Sequence, residues 1–208
     1  MKSIVYALAL VITLAQSASA SAAEPQVTLR GQYGVADPAL QSVLYFEDIA
    51  YETSTFSGDA LIGRNYQVVV SELTDGVLTK TETVFDSKED EYFRIKKNEF
   101  AMRTLAKRIS DGKIRFEFQF DGFIKRAEFA IAPNHGDFAL KDFMGSRPAI
   151  SIPVGADTPI LAYIMPYEKP DGSKQYCEVV QSGVAATELG AKYKIPRYYL
   201  VSIKFDKI

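Results

Sequence analysis

The chain has one histidine and one cysteine, His135 in "APNHGD" and Cys177 in "KQYCEVV". A single histidine cannot supply a zinc site built from several imidazoles. It can serve as a base with Asp137 as its orienting carboxylate, but no serine stands in a Gly-x-Ser-x-Gly elbow to be activated. Cys177 with His135 is the one thiol–imidazole pair. A nucleophilic thiol needs a neighbouring base or a helix N-terminus to lower its pKa. The strand-like surroundings of Cys177 point instead to a small apolar core residue, and His135 reads as a loop residue between Pro133 and Gly136. The expectation is no metal and no cofactor.

Carboxylates offer two further chemistries. The first is calcium binding at Asp75-Gly76, Asp111-Gly112, Asp121-Gly122 and Asp171-Gly172. A calcium loop of the EF type needs oxygen ligands at alternate positions, Gly at the sixth and Glu at the twelfth. "DSKEDEYFRIKK" has Glu91 and Lys97 at those two places, and none of the Asp-Gly pairs has acidic residues at alternate positions around it. The pairs therefore read as turns, because Gly adopts positive φ freely and Asp tolerates it. The second chemistry is glycoside hydrolysis by paired carboxylates. With 26 acidic residues, spacing singles out no pair. Six tyrosines in the C-terminal third, Tyr163, Tyr167, Tyr176, Tyr193, Tyr198 and Tyr199, are the expected ligand surface, set against a reading as core packing with hydroxyls at its edge.

The elements that would position these residues are mostly strands. "YQVVVSELTDGVLTKTETVF" and "ILAYIMPYEKPDGSKQYCEVV" each read as strand, turn, strand. Further strands are expected at Val27–Tyr33, Val43–Thr53, Phe93–Lys97, Ala149–Pro153 and Tyr198–Phe205. In the last, Tyr199, Val201, Ile203 and Phe205 share one face, the mark of a half-buried strand. Residues 98–110 fit either a helix or a strand, with strand favoured by the neighbours. Ser182 to Gly190 can form one short helix. Regular alternation breaks down at Ala132 to Pro148, a place for a boundary between subdomains. The fold class is thus all-β, an antiparallel β-sandwich or a barrel-like variant, with at most one or two short helices.

Asp121-Gly122 also fixes a register. A two-residue turn there pairs Phe120 with Phe123, Phe118 with Lys125, Phe116 with Ala127 and Ile114 with Phe129 on an apolar face. On the other face it pairs Glu117 with Arg126 and Arg115 with Glu128, both of opposite charge.

The first residues read as a targeting segment. One Lys, an apolar run from Ile4 to Leu14 and small residues from Ser17 to Ala23 make the three-part pattern of a secretory signal peptide, residues 1–22. The run is about half the ~20 residues that a membrane helix needs, and no Cys follows it to carry a lipid. The remaining domain, 23–208, loses only Lys2 from the charge balance and stays mildly acidic. Its overall charge gives no attraction to nucleic acid or anionic lipid. A lone cysteine and no Asn-x-Ser/Thr acceptor fit a bacterial periplasm or cell surface. A membrane β-barrel is disfavoured by Lys125 and Arg126, which put charge on both faces of a strand.

The leader, the hairpin-rich middle and the segments "GSRPAISIPVG" and "YKIPRYYLVSIKF" give the chain a resemblance in style to small secreted all-β proteins of unknown function from Bacteroidetes. The resemblance implies a β-sandwich in the cell envelope and brings no catalytic residue. The expected function is a non-catalytic binding or structural module for a glycan or an envelope protein. The alternative is a carbohydrate hydrolase using two carboxylates. The targeting pattern predicts a mature N-terminus near Ser21–Ala23, to be read by N-terminal mass spectrometry of envelope fractions; intact Met1 there would contradict it.

Overall fold

The computed structural model describes residues 25–109, 112–131 and 137–207. The leader, His135 and the Ser110–Asp111 part of one turn lie outside the described residues. Among the described residues, thirteen strands run in chain order. They are β1 (Gln26–Tyr33), β2 (Ala50–Ser57), β3 (Tyr66–Thr74), β4 (Val77–Asp86), β5 (Glu99–Ile109), β6 (Lys113–Phe120), β7 (Phe123–Ala130), β8 (Ala139–Asp142), β9 (Ile150–Pro153), β10 (Thr158–Ile164), β11 (Tyr167–Glu168), β12 (Lys174–Gln175) and β13 (Arg197–Phe205). Helices are short: α1 (Pro38–Phe46), α2 (Cys177–Val180), α3 (Leu189–Tyr193) and a few single 3₁₀ turns. One sheet has the order β7-β6-β5-β2-β1-β9, the other β4-β3-β13-β10-β8, and the sheets do not close into a barrel.

Alternation explains the sandwich. In β6, Ile114, Phe116, Phe118 and Phe120 are buried while Lys113, Arg115, Glu117 and Gln119 are not. Their rings meet the facing sheet: Phe116 lies 5.6 Å from both Tyr163 of β10 and Tyr199 of β13, and Phe120 lies 5.3 Å from Phe85 of β4. Lys80 of β4 sits 4.3 Å over the Phe129 ring of β7, so the two sheets meet along that edge.

The β6–β7 register is the one expected: Phe120 pairs with Phe123, Phe116 with Ala127, Glu117 with Arg126 and Arg115 with Glu128. Arg126 Nε donates to Glu117 Oε2 at 2.7 Å, and Arg115 Nε to Glu128 Oε1 at 2.9 Å. The Gln119 amide, and with it Arg126, holds the Glu117 carboxyl below its ordinary range. At Asp75-Gly76 both residues have positive φ, 50° and 77°, as a type I′ turn requires. At Asp121-Gly122 only the glycine is left-handed.

Several elements differ from the sequence reading. The stretch that fits either helix or strand is strand from Glu99 to Ile109, as favoured, but Val43–Thr53 is not one strand. Asp37 Oδ1 accepts from the Ala39 and Leu40 amides at 2.8 and 3.1 Å, and Pro38 opens a helix there; β2 begins only at Ala50. Phe93–Lys97 is likewise no strand. Asp90 Oδ1 accepts from the Tyr92 amide at 2.8 Å and caps a 3₁₀ turn, Glu91–Phe93. The expected helix from Ser182 to Gly190 shrinks to a 3₁₀ turn, Ala186–Glu188, followed by α3.

The Pro-Asp-Gly turn joins only the two-residue strands β11 and β12, while β10 pairs with β13 and β8. Cys177 lies in no strand and no core: it starts α2 with its side chain exposed.

The last strand is central rather than half-buried. Tyr199, Val201, Ile203 and Phe205 face the first core, whereas Tyr198 and Leu200 face a second one. That second core is formed by residues 165–196, which fold back over the sheet's outer face and contribute Val179, Val180, Leu189 and Ile195. Gly190 permits the close approach. A Cβ there would fall 2.9 Å from a Tyr198 ring carbon and 3.0 Å from the Gly76 nitrogen.

Packing, not charge, thus carries the register. Phe116→Ala is expected to cost about 3–5 kcal/mol, and Arg126→Ala less than about 1 kcal/mol, by urea unfolding. A comparable loss at Arg126 would overturn the ranking.

Candidate functional site

A cavity of about 920 Å³ opens at the end of the sandwich where β2 begins, β5 ends and β10 ends. The sequence builds it in three parts. The first is a floor of inward side chains, Ala50, Leu140 and Tyr163, at the limit of interior packing. The second is α1, which ends at the rim with Tyr45 and Phe46. Asp48 at φ 51° then turns the chain into β2, donating its amide to the Tyr45 carbonyl at 3.2 Å. The third is Tyr33, at the end of β1. Tyr33, Tyr45 and Phe46 are 51%, 59% and 86% exposed, so three aromatic rings face solvent around one opening.

Charged groups complete the wall: Asp48, Lys107, Arg108 and Asp137. Lys107 Nζ pairs with Glu47 Oε2 at 3.3 Å. Burial raises the pKa of the Tyr163 hydroxyl, with Arg108 opposing and Asp48 reinforcing.

Glu52 lies one inward position further along β2 than Ala50, about 7 Å deeper. It is 1% exposed. Its cross-strand neighbours are Tyr33 of β1 and Thr104 of β5. The Thr104 hydroxyl is buried and has no hydrogen-bond partner among the described residues. Space for the carboxyl depends on Gly31: a Cβ there would lie 2.8 Å from Glu52 Oε1 and 2.5 Å from Met144 Cε. Burial, and next the Asp142 carboxylate, push the Glu52 carboxyl up to about 7, while Lys141 pulls it down. Lys141 Nζ stands 5.4 Å from the Tyr33 ring centre and 6.0 Å from that of Tyr176. A proton-holding carboxyl therefore underlies an aromatic-rimmed cavity.

The six tyrosines expected as a ligand surface do not form one. Tyr163, Tyr198 and Tyr199 are buried, because β10 and β13 are covered on both faces. Tyr198 Oη donates to the Ala186 carbonyl at 3.0 Å, and Tyr199 Oη to Glu72 Oε1 at 3.2 Å. Tyr167 and Tyr193, with ring centres 5.5 Å apart, pack on the second core, as does Tyr176. Only Tyr163 lines the cavity. Sequence reading missed Tyr33, Tyr45, Phe46 and Glu52. Glu52 carried a signal: it falls in phase with Ser54 and Phe56 on the inward face of β2.

Among the described residues, no group of three or more His, Cys, Asp or Glu side chains is arranged to hold a metal ion. Comparison with protein-family models, with curated proteins and with solved structures finds no match.

The raised Glu52 pKa makes stability depend on pH. The folded chain holds this proton between about 4.5 and about 7, where the unfolded chain releases it. Its contribution is thus full below about 4.5 and is lost as pH rises through about 7; the loss is about 3 kcal/mol. Thermal melts at pH 5 to 8 should fall steadily for wild type and much less for Glu52→Gln. Parallel curves would contradict the assignment.

Proposed function

We propose that the protein is an exported envelope module that binds a glycan at the rim of the cavity without transforming it. The observation that carries this reading is the grouping of exposed Tyr33, Tyr45 and Phe46 at the opening, beside Asp48 and Asp137. Sugars present apolar C–H faces and polar edges, so aromatic rings next to carboxylates complement both. Leu40 and Val43, exposed on the same helix as Phe46, extend the apolar rim. Clustered exposed apolar side chains mark recognition surfaces. The reading of export rests on the leader pattern. No helix among the described residues is long and apolar enough to cross a membrane.

A second reading, a carbohydrate hydrolase, is favoured by one observation. Glu52 and Asp142 form a carboxylate pair in which one member keeps its proton near neutrality, as a general acid must. Binding is preferred because Glu52 is buried one row below the cavity floor, away from a sugar held at the rim.

Calorimetry against a panel of oligosaccharides distinguishes the two. Binding predicts a ligand whose affinity drops about ten-fold in Tyr45→Ala/Phe46→Ala, about 1.4 kcal/mol, and is kept in Glu52→Gln. Hydrolysis of any member of the panel, abolished by Glu52→Gln, would replace the binding reading. No binding and no turnover of any member would remove both.

A further inference from the structure

Tyr33 on β1 and Glu52 on β2 are direct cross-strand neighbours, so their side chains lie on the same face of the sheet. Tyr33 is half exposed at the cavity mouth, and Glu52 is buried below it. A third side chain, Lys141 of β8, acts on both. β8 is the outermost strand of the second sheet, where it pairs with β10, so the long Lys141 side chain reaches round that edge. Its ammonium rests against the rings of Tyr33 and Tyr176, and its charge favours ionisation of Glu52.

The groups that face Glu52 come from four elements. On β1 they are Tyr33 and Gly31, whose missing Cβ leaves the carboxyl its place. On β5, Thr104 presents an uncharged hydroxyl. From β8 come Lys141 and the Asp142 carboxylate, whose Oδ1 accepts from the Met144 amide at 2.7 Å. On α1, Tyr45 stands near Tyr33 and acts on its hydroxyl, as Glu52 does. Tyr176, on the other side of Lys141, feels the charge of Asp137, which pairs with Lys174 at 3.5 Å.

While Glu52 keeps its proton it is neutral and leaves the ammonium on the rings. Once ionised, it is a second anion beside Asp142, in a place too dry to hold a charge alone. A charge-assisted bond to a buried carboxylate is stronger than contact with an exposed ring. Lys141 therefore moves from the rings to the carboxylates. Tyr176 also packs on the second core, whereas Tyr33 stands half exposed at a strand end. Tyr33 is thus the ring that loses its hold.

We propose that Glu52, Lys141 and Tyr33 form a pH-sensitive switch at the cavity mouth: Lys141 holds the Tyr33 ring in the rim while Glu52 carries its proton, and leaves that ring to pair with Glu52 when the proton is lost. Burial places the changeover at about pH 7. The switch works in the free chain; only its effect on a bound glycan rests on the reading of the rim given above.

NMR of the whole purified chain tests it without a ligand, so failure of the glycan reading leaves this test untouched. All samples carry His135→Ala, because an imidazole titrates in the same range. The Tyr33 ring signals, assigned by their loss in Tyr33→Phe, should move from pH 5 to 8 in step with the Glu52 carboxyl carbon, with a midpoint at about 7. In Glu52→Gln they should stay fixed. In Lys141→Met they should lose most of their movement, while the Glu52 carboxyl still titrates, at a higher pH for want of its cation. If Glu52→Gln does not fold, Lys141→Met decides alone. Tyr33 signals that stay still in the parent chain, or that keep most of their movement in Lys141→Met, overturn the proposal.

Discussion

The fold depends on one constraint, the burial of a continuous aromatic and aliphatic layer between two antiparallel sheets. Phe116, Phe118, Phe120 and Phe129 on one side meet Tyr163, Tyr199 and Phe85 on the other. Side chains alternate with a period of two, so moving β6 or β7 by one residue would exchange its part of this layer for Arg115 and Glu117 or for Glu128. The register, the hairpin turns and the cross-strand ion pairs all follow from keeping that layer dry. The ion pairs read the same register but add little to it, being largely solvated.

A second layer changes what the C-terminal strands can do. Residues 165–196 fold over the outer face of the second sheet and bury Tyr198, Leu200, Ala162 and Ile164. Over Tyr198 to Ile203 the strand is covered on both faces and leaves no side chain for solvent, which is why its tyrosines serve packing. The glycines at 76 and 190 let the cover come close enough to exclude water.

The cavity sits where this packing stops. There the inner face of β2 carries Glu52 in place of another apolar residue, and Tyr33 and α1 leave aromatic rings in solvent. A carboxyl kept in a dry layer holds its proton to higher pH, so this end of the interior loses stability as pH rises toward neutrality.

Sequence alone determined the all-β class, the Asp-Gly turns at 75–76, 121–122 and 171–172, and the β6–β7 register. These rest on local signals: φ preferences of Gly and Asp, period-two alternation, and residues a few positions apart. The same local logic, applied without regard to capping by Asp37 and Asp90, misassigned two short segments whose helical turns are held by a carboxylate and two or three amides. What sequence could not reach were properties set by distant segments. Whether β13 had one dry face or two depended on a cover made by residues 165–196. Whether Tyr33, Tyr45 and Phe46 share an opening depended on where β1 and α1 end relative to β10. The meeting of Tyr33, Glu52 and Lys141 depended on strands of two sheets ending side by side. Solvent exclusion and charge proximity are functions of three-dimensional distance, so tertiary structure decided them.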